Sequence, residues 1–396
     1  MPGPLTGIRV LDFTRYQQGP YATVMLGDMG AEIIKVEEAS GDYGRRLWKE
    51  LDGFSGFWES LNRGKKSVCL DLRKPAAVQA ALELGATCDV VVENFRPGTM
   101  ERWGLGYEAF RARNPRIVYG QATGWGTKGP LASHPSFDQI AQAASGFARQ
   151  AGGGPGTRPE IPVPGIADQT GAMNLAFGIV TALFARERTG LGQKVEVSLL
   201  GSQLALQAPE LQHSMHIGAE RPRTFRASAS VGHYECADGR WVMIVGIDQK
   251  FWPRMVKALG LPELEHDERF ARGWGRYSNR DVLEPLIEAA FRGQPAAYWL
   301  ERLQEADHPA AIVQGYQEVA KDEQVLANEY IVEQDHPRFG RQKVVGLHIQ
   351  LSETPGQVGA PAPELGADTV AVLQAAGFSA ERIAALAAEG AIVLGE

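Results

Sequence analysis

Gly124-Trp125-Gly126-Thr127-Lys128-Gly129 has the G-x-G-x-x-G spacing of a dinucleotide-binding turn and follows a strand-like apolar stretch. In such a turn the last glycine opens a helix whose N–H groups hold a pyrophosphate. Here Pro130 and the loop through Ser136 follow Gly129, so a nicotinamide-dependent oxidoreductase is only the remote reading. The first strand-to-helix turn, where that fingerprint normally lies, reads Thr14-Arg15-Tyr16-Gln17-Gln18-Gly19-Pro20 and lacks the glycines. Arg63 to Ser67 has the lysines of a phosphate loop, but Glu59 stands where its upstream glycine belongs. His213 and His216, three apart, read as a helix face, and no metal site is expected. Cys69, Cys88 and Cys236 lie far apart without C-x-x-C spacing, which fits a reducing cytoplasm rather than a disulfide framework. Asp168 stands between a glycine-proline tract and a long apolar run, and from the residues alone it reads as the N-cap of that helix.

The elements that must position these groups alternate at βαβ spacing. Gly7 to Phe13, Glu32 to Glu37, Ser67 to Leu72, Asp89 to Phe95 and Arg116 to Gln121 read as strands, with helical patterns between them. Val90-Val91-Val92 is apolar on both faces, as a central parallel strand covered by helices on each side must be. The expected fold is therefore a doubly wound parallel α/β sheet. A helix from Phe137 to Arg149 leads into the tract Ala151 to Gly165, which can form neither helix nor central strand. The helix beginning at Asp168 runs to about Arg188 and stops at Gly190. Beyond residue 200 the texture changes to a polar linker around residues 220–230, a hairpin turning at Asp238-Gly239, and several helical patterns. Gln342 to Leu351 reads as a returning strand. The expected organisation is a large α/β domain over 1–200, a linker and smaller, mostly helical α+β domain over 201–329, and a return segment over 330–396 that completes the large one.

Composition narrows the partners. In 396 residues, 44% hydrophobic and 22% charged, there is ample apolar material for a large core. Forty Lys and Arg against 47 Asp and Glu leave a net charge of −7, so no general basic surface for nucleic acid or acidic lipid is expected. The longest apolar run, Met173 to Ala185, is shorter than the roughly 20 residues that span a bilayer, and Asp168 and Arg186 flank it. Asp12 and Arg15 interrupt the stretch where a secretion signal would need its apolar region.

Five long blocks, in order, carry a resemblance: GIRVLDFTRYQQGPYATVMLGDMGAEIIKVE, NRGKKSVCLDL, VVENFRPGTMERWGL, NPRIVYGQATGWGTKGP and ADQTGAMNLAFGIVTALFARERTGLGQKVEVSL. Together they resemble the class III coenzyme A transferases, the CaiB/BaiF family, which includes formyl-CoA transferase and more distantly α-methylacyl-CoA racemase. The resemblance implies a Rossmann-like large domain, an interlocked homodimer, and transfer of CoA between an acyl-CoA and a carboxylic acid. The CoA thioester is substrate, and no permanently bound cofactor is implied. It places the family's nucleophile at Asp168, which would form an acyl mixed anhydride and then an aspartyl-CoA thioester, and it places an oxyanion-stabilising amide at Gln17. Arg73, Asn94, Phe95, Arg96 and Arg102 match CoA-binding positions, as do Ser136, Phe137 and Asp138 near the pantetheine.

The sequence also departs from the family. Glu38 stands where formyl-CoA transferases carry an arginine, so Arg45 or Arg46 becomes the candidate replacement, and the glycine-rich loop before the hairpin is missing. Arg226 and His233 are candidates for selecting the acid. The racemases use a His-Asp pair where this chain has Phe137-Asp138, and His134, in a proline-flanked loop, is expected to point elsewhere. The racemase is therefore the alternative reading and the transferase the main one.

Overall fold

A computed structural model of the chain describes residues 2–161, 165–220 and 226–395. The chain divides into two compact units, one of Met1–Ala148, Glu160–Ala219 and Glu323–Glu396, the other of Arg149–Pro159 and Glu220–Asp322.

The first unit is built on β1 (Arg9–Asp12), α1 (Gln18–Asp28), β2 (Glu32–Glu37), α2 (Gly56–Asn62), β3 (Lys65–Leu70), α3 (Pro75–Ala86) and β4 (Val90–Glu93). It continues through the short helices α4 (Thr99–Arg102) and α5 (Tyr107–Arg111) to β5 (Val118–Thr123), α6 (Asp138–Ala144) and the start of α7 (Phe147–Ala151), whose residues from Arg149 on are counted with the second unit. Then come α8 (Ile166–Thr189), β6 (Lys194–Ser198), α9 (Leu199–Leu206) and α10 (Ala208–Ile217). The helix expected over Phe137 to Arg149 is broken at Gly146, whose φ of 84° is left-handed.

β1 to β6 are parallel and ordered 3-2-1-4-5-6, the doubly wound arrangement that the alternation predicts. The valine run shows why β4 is central. Val90 and Val92 pack with Val10, Ile33 and Val118 against Leu26, Leu175 and Ile179 from α1 and α8. Val91 turns to the opposite face, with Leu11, Ile34, Val68 and the alanines of α3. Each such fully buried valine contributes about 1.5–3 kcal/mol relative to exposure.

The second unit holds a three-stranded antiparallel sheet of β7 (Val231–Glu235), β8 (Trp241–Val245) and β9 (Ala310–Ile312), with the expected turn at Asp238-Gly239. Helices α11 (Phe251–Ala258), α12 (Gly273–Ser278), α13 (Arg280–Phe291), α14 (Ala296–Glu305) and α15 (Tyr316–Val319) surround it. Tyr234, Val242 and Ile244 face inward onto Trp252, Phe291 and Leu303. The polar linker expected around 220–230 falls partly on residues 221–225, which lie outside the described residues.

The chain then returns to the first unit with α16 (Glu323–Ala327), the hairpin β10 (Ile331–His336) and β11 (Gly340–Val345), α17 (Thr369–Ala375), α18 (Ala380–Ala388) and β12 (Ile392–Val393). The strand expected over Gln342 to Leu351 pairs only within that hairpin. The segment that joins the large sheet is β12, antiparallel on β3 through Ile392↔Leu70. The hairpin alternates exposed and half-buried residues along both strands and so suits an outer layer, whereas Ala391 and Ile392 are buried.

Candidate active site

The strand order reverses where β1 lies between β2 and β4, and the loops leaving the carboxyl ends of β1 and β4 part there. A cleft of about 280 Å³ opens at this point. Arg15, Tyr16 and Gln18 follow β1, Asn94 to Pro97 follow β4, and Thr123 and Gly124 end β5. Ala132, His134, Pro135, Ser136 and Phe137 form the outer loop, and Asp168 and Leu199 complete the wall.

Asp168 does not cap its helix, contrary to the expectation from sequence. α8 begins at Ile166 with Gly165 in the N-cap position, so Asp168 is the third helical residue. The cap comes from α6: Asp138 Oδ1 accepts from the N–H groups of Ala167 at 2.7 Å and Asp168 at 3.1 Å. Asp138 Oδ2 accepts from Gln142 Nε2, so that buried carboxylate is fully engaged. The side chain of Asp168, relieved of the capping role, accepts no hydrogen bond among the described residues. Burial pushes its carboxyl up to about 7, and the charge of Asp138 adds to the shift. A half-buried carboxylate in the wall of an open cleft, with no hydrogen bond to hold it among the described residues, has the residue type and access of a nucleophile.

The two glutamines at the start of α1 reach α8 on either side of Asp168. A Cβ added at Gly165 would stand 2.6 Å from Gln17 Nε2, and one added at Gly171 would stand 2.5 Å from Gln18 Nε2. Gln17 therefore reaches the residue three before Asp168, and Gln18 the residue three after it. Gln18 is buried, and its Nε2 has no partner among the described residues.

Of the residues matched to CoA binding, Asn94, Phe95, Arg96, Ser136 and Phe137 line the cleft, while Asp138 lies behind it as the helix cap. Asn94 is occupied: its Oδ1 accepts from Arg15 N at 2.8 Å and its Nδ2 donates to Arg15 O at 2.7 Å, tying the two loops together. Phe95 carries Arg15 over its ring at 5.5 Å and meets Trp103 edge-on. Among the described residues Arg96, which is exposed, makes no ion pair, and Ser136 Oγ is buried without a partner. Phe137 meets Tyr16 edge-on at 5.4 Å.

Arg73 and Arg102 line a separate groove with Trp103 and Leu72. Arg73 is held on Asp71 at 2.7 Å, and Arg102 Nη2 donates to Thr99 Oγ1 at 2.9 Å. The replacement considered for Glu38 changes. Arg45 is spent on Glu37 and stacks on Trp58 at 3.7 Å, while Arg46 is exposed over Tyr43. Arg15 pairs with Glu38 at 2.8 Å and lines the cleft, a role sequence reading missed because nothing local marks which arginine of the turn faces inward. In the second unit Arg226 is buried on Glu284 and Glu288, stacks on Tyr234 and donates to the carbonyl of His233, so its charge is already paired. His134, expected to point elsewhere, lines the cleft. The three cysteines are buried, and burial pushes their thiols up to about 11 or 12, so none competes as a nucleophile. Among the described residues no helix is long and apolar enough to cross a membrane.

Comparison with known proteins bears on the family and the fold. The family model for CoA-transferase family III matches residues 5–369. Succinyl-CoA:glutarate CoA-transferase of Mus musculus is 34% identical over 94% of this chain and 86% of its own length. Acetyl-CoA:oxalate CoA-transferase of Acetobacter aceti is 34% identical over 83% of this chain and 86% of its own. The crystal structure of a CAIB/BAIF family protein from Brucella suis, 27% identical, superposes with a TM-score of 0.85 over 95% of this chain and 100% of that one.

Proposed function

The chain belongs to CoA-transferase family III and is a CoA transferase, and from that premise we propose that it passes CoA from a donor acyl-CoA to an acceptor carboxylate through covalent intermediates on Asp168. The observation that carries this reading is the Asp168 carboxylate in the cleft wall, without a hydrogen-bond partner among the described residues, with Asp138 doing the capping in its place. The Asp168 carboxylate attacks the thioester carbonyl, the C–S bond breaks, and CoA leaves as thiolate with a mixed anhydride behind it. The thiolate then attacks the Asp168 carbonyl and expels the donor acid as carboxylate, leaving an aspartyl-CoA thioester. The acceptor carboxylate repeats both steps in reverse, so no proton or electron is consumed and the thioester bond is conserved. The amide of Gln17 donates to the oxyanion that forms at each step. Arg96 and Arg15 meet the CoA phosphates, Phe95 the adenine, and Ser136 and Phe137 the pantetheine, with Arg73 and Arg102 extending the track into the neighbouring groove.

The reading includes a homodimer. Met173, Phe177, Val180 and Phe184 form an exposed apolar stripe along α8, and a second copy of this chain is its occupant. A stable folded monomer at low concentration, by sedimentation, would overturn that part. Three free, buried cysteines fit a reducing cytoplasm.

The test is an acyl-CoA by carboxylate matrix read by mass spectrometry, starting with succinyl-CoA, acetyl-CoA, glutarate and oxalate. Incubation with donor alone should leave acyl or CoA mass on the peptide holding Asp168, and hydroxylamine should remove it. Because His134 shares the cleft with Asp168, the racemase alternative has its own check. In deuterium oxide the product acyl-CoA should keep its α-hydrogens, whereas rapid exchange without any acceptor acid would show α-proton chemistry at this cleft and overturn the mechanism proposed here.

A further inference from the structure

Beneath the turn that carries Gln17 and Gln18, three charged side chains are shut off from solvent: Asp12 at the end of β1, Lys35 in β2 and Lys65 at the start of β3. Burying charges is costly, and well-packed apolar residues usually stabilise a core as well or better, so stability alone is a weak reason for them. Their hydrogen bonds give a stronger one. Lys35 Nζ donates to the carbonyl of Thr14 at 2.8 Å and to Asp42 at 2.9 Å. Lys65 Nζ donates to the carbonyl of Pro20 at 3.0 Å, to Asn62 at 3.1 Å and to Asp12 at 3.1 Å. Asp12 Oδ1 accepts from the N–H and hydroxyl of Thr14, and its Oδ2 from the hydroxyl of Thr23. Both ends of the segment Thr14 to Pro20 are thus gripped by ammonium groups on backbone carbonyls, which no apolar side chain could hold.

Between the grips the chain is tightly constrained. Tyr16 takes a left-handed φ of 63°, costly for an aromatic residue. At Gly19 an added Cβ would lie 2.3 Å from the Thr14 side chain. The consequence is where the next two side chains go: Gln17 against Gly165 and Gln18 against Gly171, three residues before and after Asp168. On a helix, residues three apart share a face.

We propose that Asp12, Lys35 and Lys65 are positioning residues for CoA transfer, a buried ionic clamp whose task is to hold the Thr14–Pro20 turn so that the carboxamides of Gln17 and Gln18 flank Asp168. This rests on the reading of Asp168 as the nucleophile. The clamp touches no substrate. It acts through the amides.

The experiment compares wild type with the paired substitution Lys35→Met/Asp42→Asn, which removes both partners together and leaves no orphaned charge between them. The rate of adduct formation on Asp168 from donor acyl-CoA, normalised to titratable sites, should fall roughly 10- to 100-fold, with KM for acyl-CoA nearly unchanged. A Gln17→Ala background separates positioning from general damage. There the paired substitution should add little further loss, because its effect runs through the amide already removed. Multiplicative losses in that background, or a wild-type rate in the folded double variant, would overturn the clamp. If the double variant does not fold, Thr14→Val/Thr23→Val keeps every charge and removes the two hydroxyl bonds to Asp12, together with the contacts of the Thr23 hydroxyl to the carbonyls of Gly19 and Pro20 at the end of the same turn. The same rate loss, absent in the Gln17→Ala background, is expected from it, and an unaltered rate is again fatal. No Asp168 adduct in wild type would defeat the reading of Asp168 as the nucleophile and this inference with it, an outcome distinct from an adduct that the variants form equally fast.

Discussion

Asp12 and Asp168 belong to the same unit, the first fully buried and the second half-buried at the cleft wall, and their surroundings drive them in opposite directions. Burial alone would raise both. Around Asp12, Lys65, Lys35 and the hydroxyls of Thr14 and Thr23 outweigh burial and hold the carboxyl at about 2. Around Asp168 nothing outweighs it, and burial with the charge of Asp138 leaves the carboxyl at about 7. The first site has every oxygen committed, and the second has none committed among the described residues. A saturated carboxylate holds structure, while an unsatisfied one at the wall of a cleft retains the capacity to react.

Removing each carboxylate should separate these roles. Asp168→Asn should lower CoA transfer by roughly 10⁴-fold or more while the fold survives, measured by steady-state kinetics with reversion to Asp excluded by mass. Because the folded-state carboxyl of Asp168 lies above its unfolded value of 3.8, the native state binds the extra proton between about pH 4 and 7, and its contribution to stability falls across that window. Asp168→Asn should therefore gain stability relative to wild type from pH 4 to pH 7, reaching roughly 1–3 kcal/mol at pH 8. Near-normal transfer by the folded variant would erase the contrast.

Asp12→Asn should do the reverse, costing about 3–5 kcal/mol because Lys65 loses its buried counter-charge, seen as a lower denaturant midpoint. The folded carboxyl lies below its unfolded value, so the stability it supplies is present above about pH 4 and is lost as pH falls through about 2. An Asp12→Asn protein as stable as wild type at pH 7 would show that the buried charges at this site offset one another without holding anything.

Smaller effects sharpen the picture at the cleft. Arg96→Ala should raise KM for acyl-CoA about tenfold, the worth of one charge-assisted hydrogen bond, with kcat nearly unchanged. Smallest is a shift in pH dependence. Wild-type kcat/KM for the donor should rise with pH through a midpoint near 7, where Asp168 ionises, and level off above it. Asp138→Asn keeps a capping oxygen but removes the charge that raises Asp168, so this limb should move to lower pH. An unmoved limb would assign the elevated value to burial alone.

Much of the frame was readable along the chain. The alternation of strand and helix, the doubly apolar Val90 to Val92 and the stop at Gly190 are local patterns, and each reports a local preference of backbone or burial. The blocks around Asp168 and Asn94-Phe95-Arg96 were likewise legible as contiguous runs. The role of each oxygen was not. Asp168 has the residue type and setting of an N-cap, but the cap is supplied by Asp138, from a separate helix brought alongside the start of α8. Asn94 reads as a ligand contact, but its amide is closed on the backbone of Arg15. Arg45 looks like a substitute cation for a phosphate, but Glu37 already holds it. What sequence determined by itself is the set of elements and the chemistry they carry, because periodicity and turn preference act between near neighbours. Only the tertiary structure decided which carboxylate is satisfied and which is left free, because a hydrogen bond between segments depends on angstrom-scale distances that spacing along the chain does not encode.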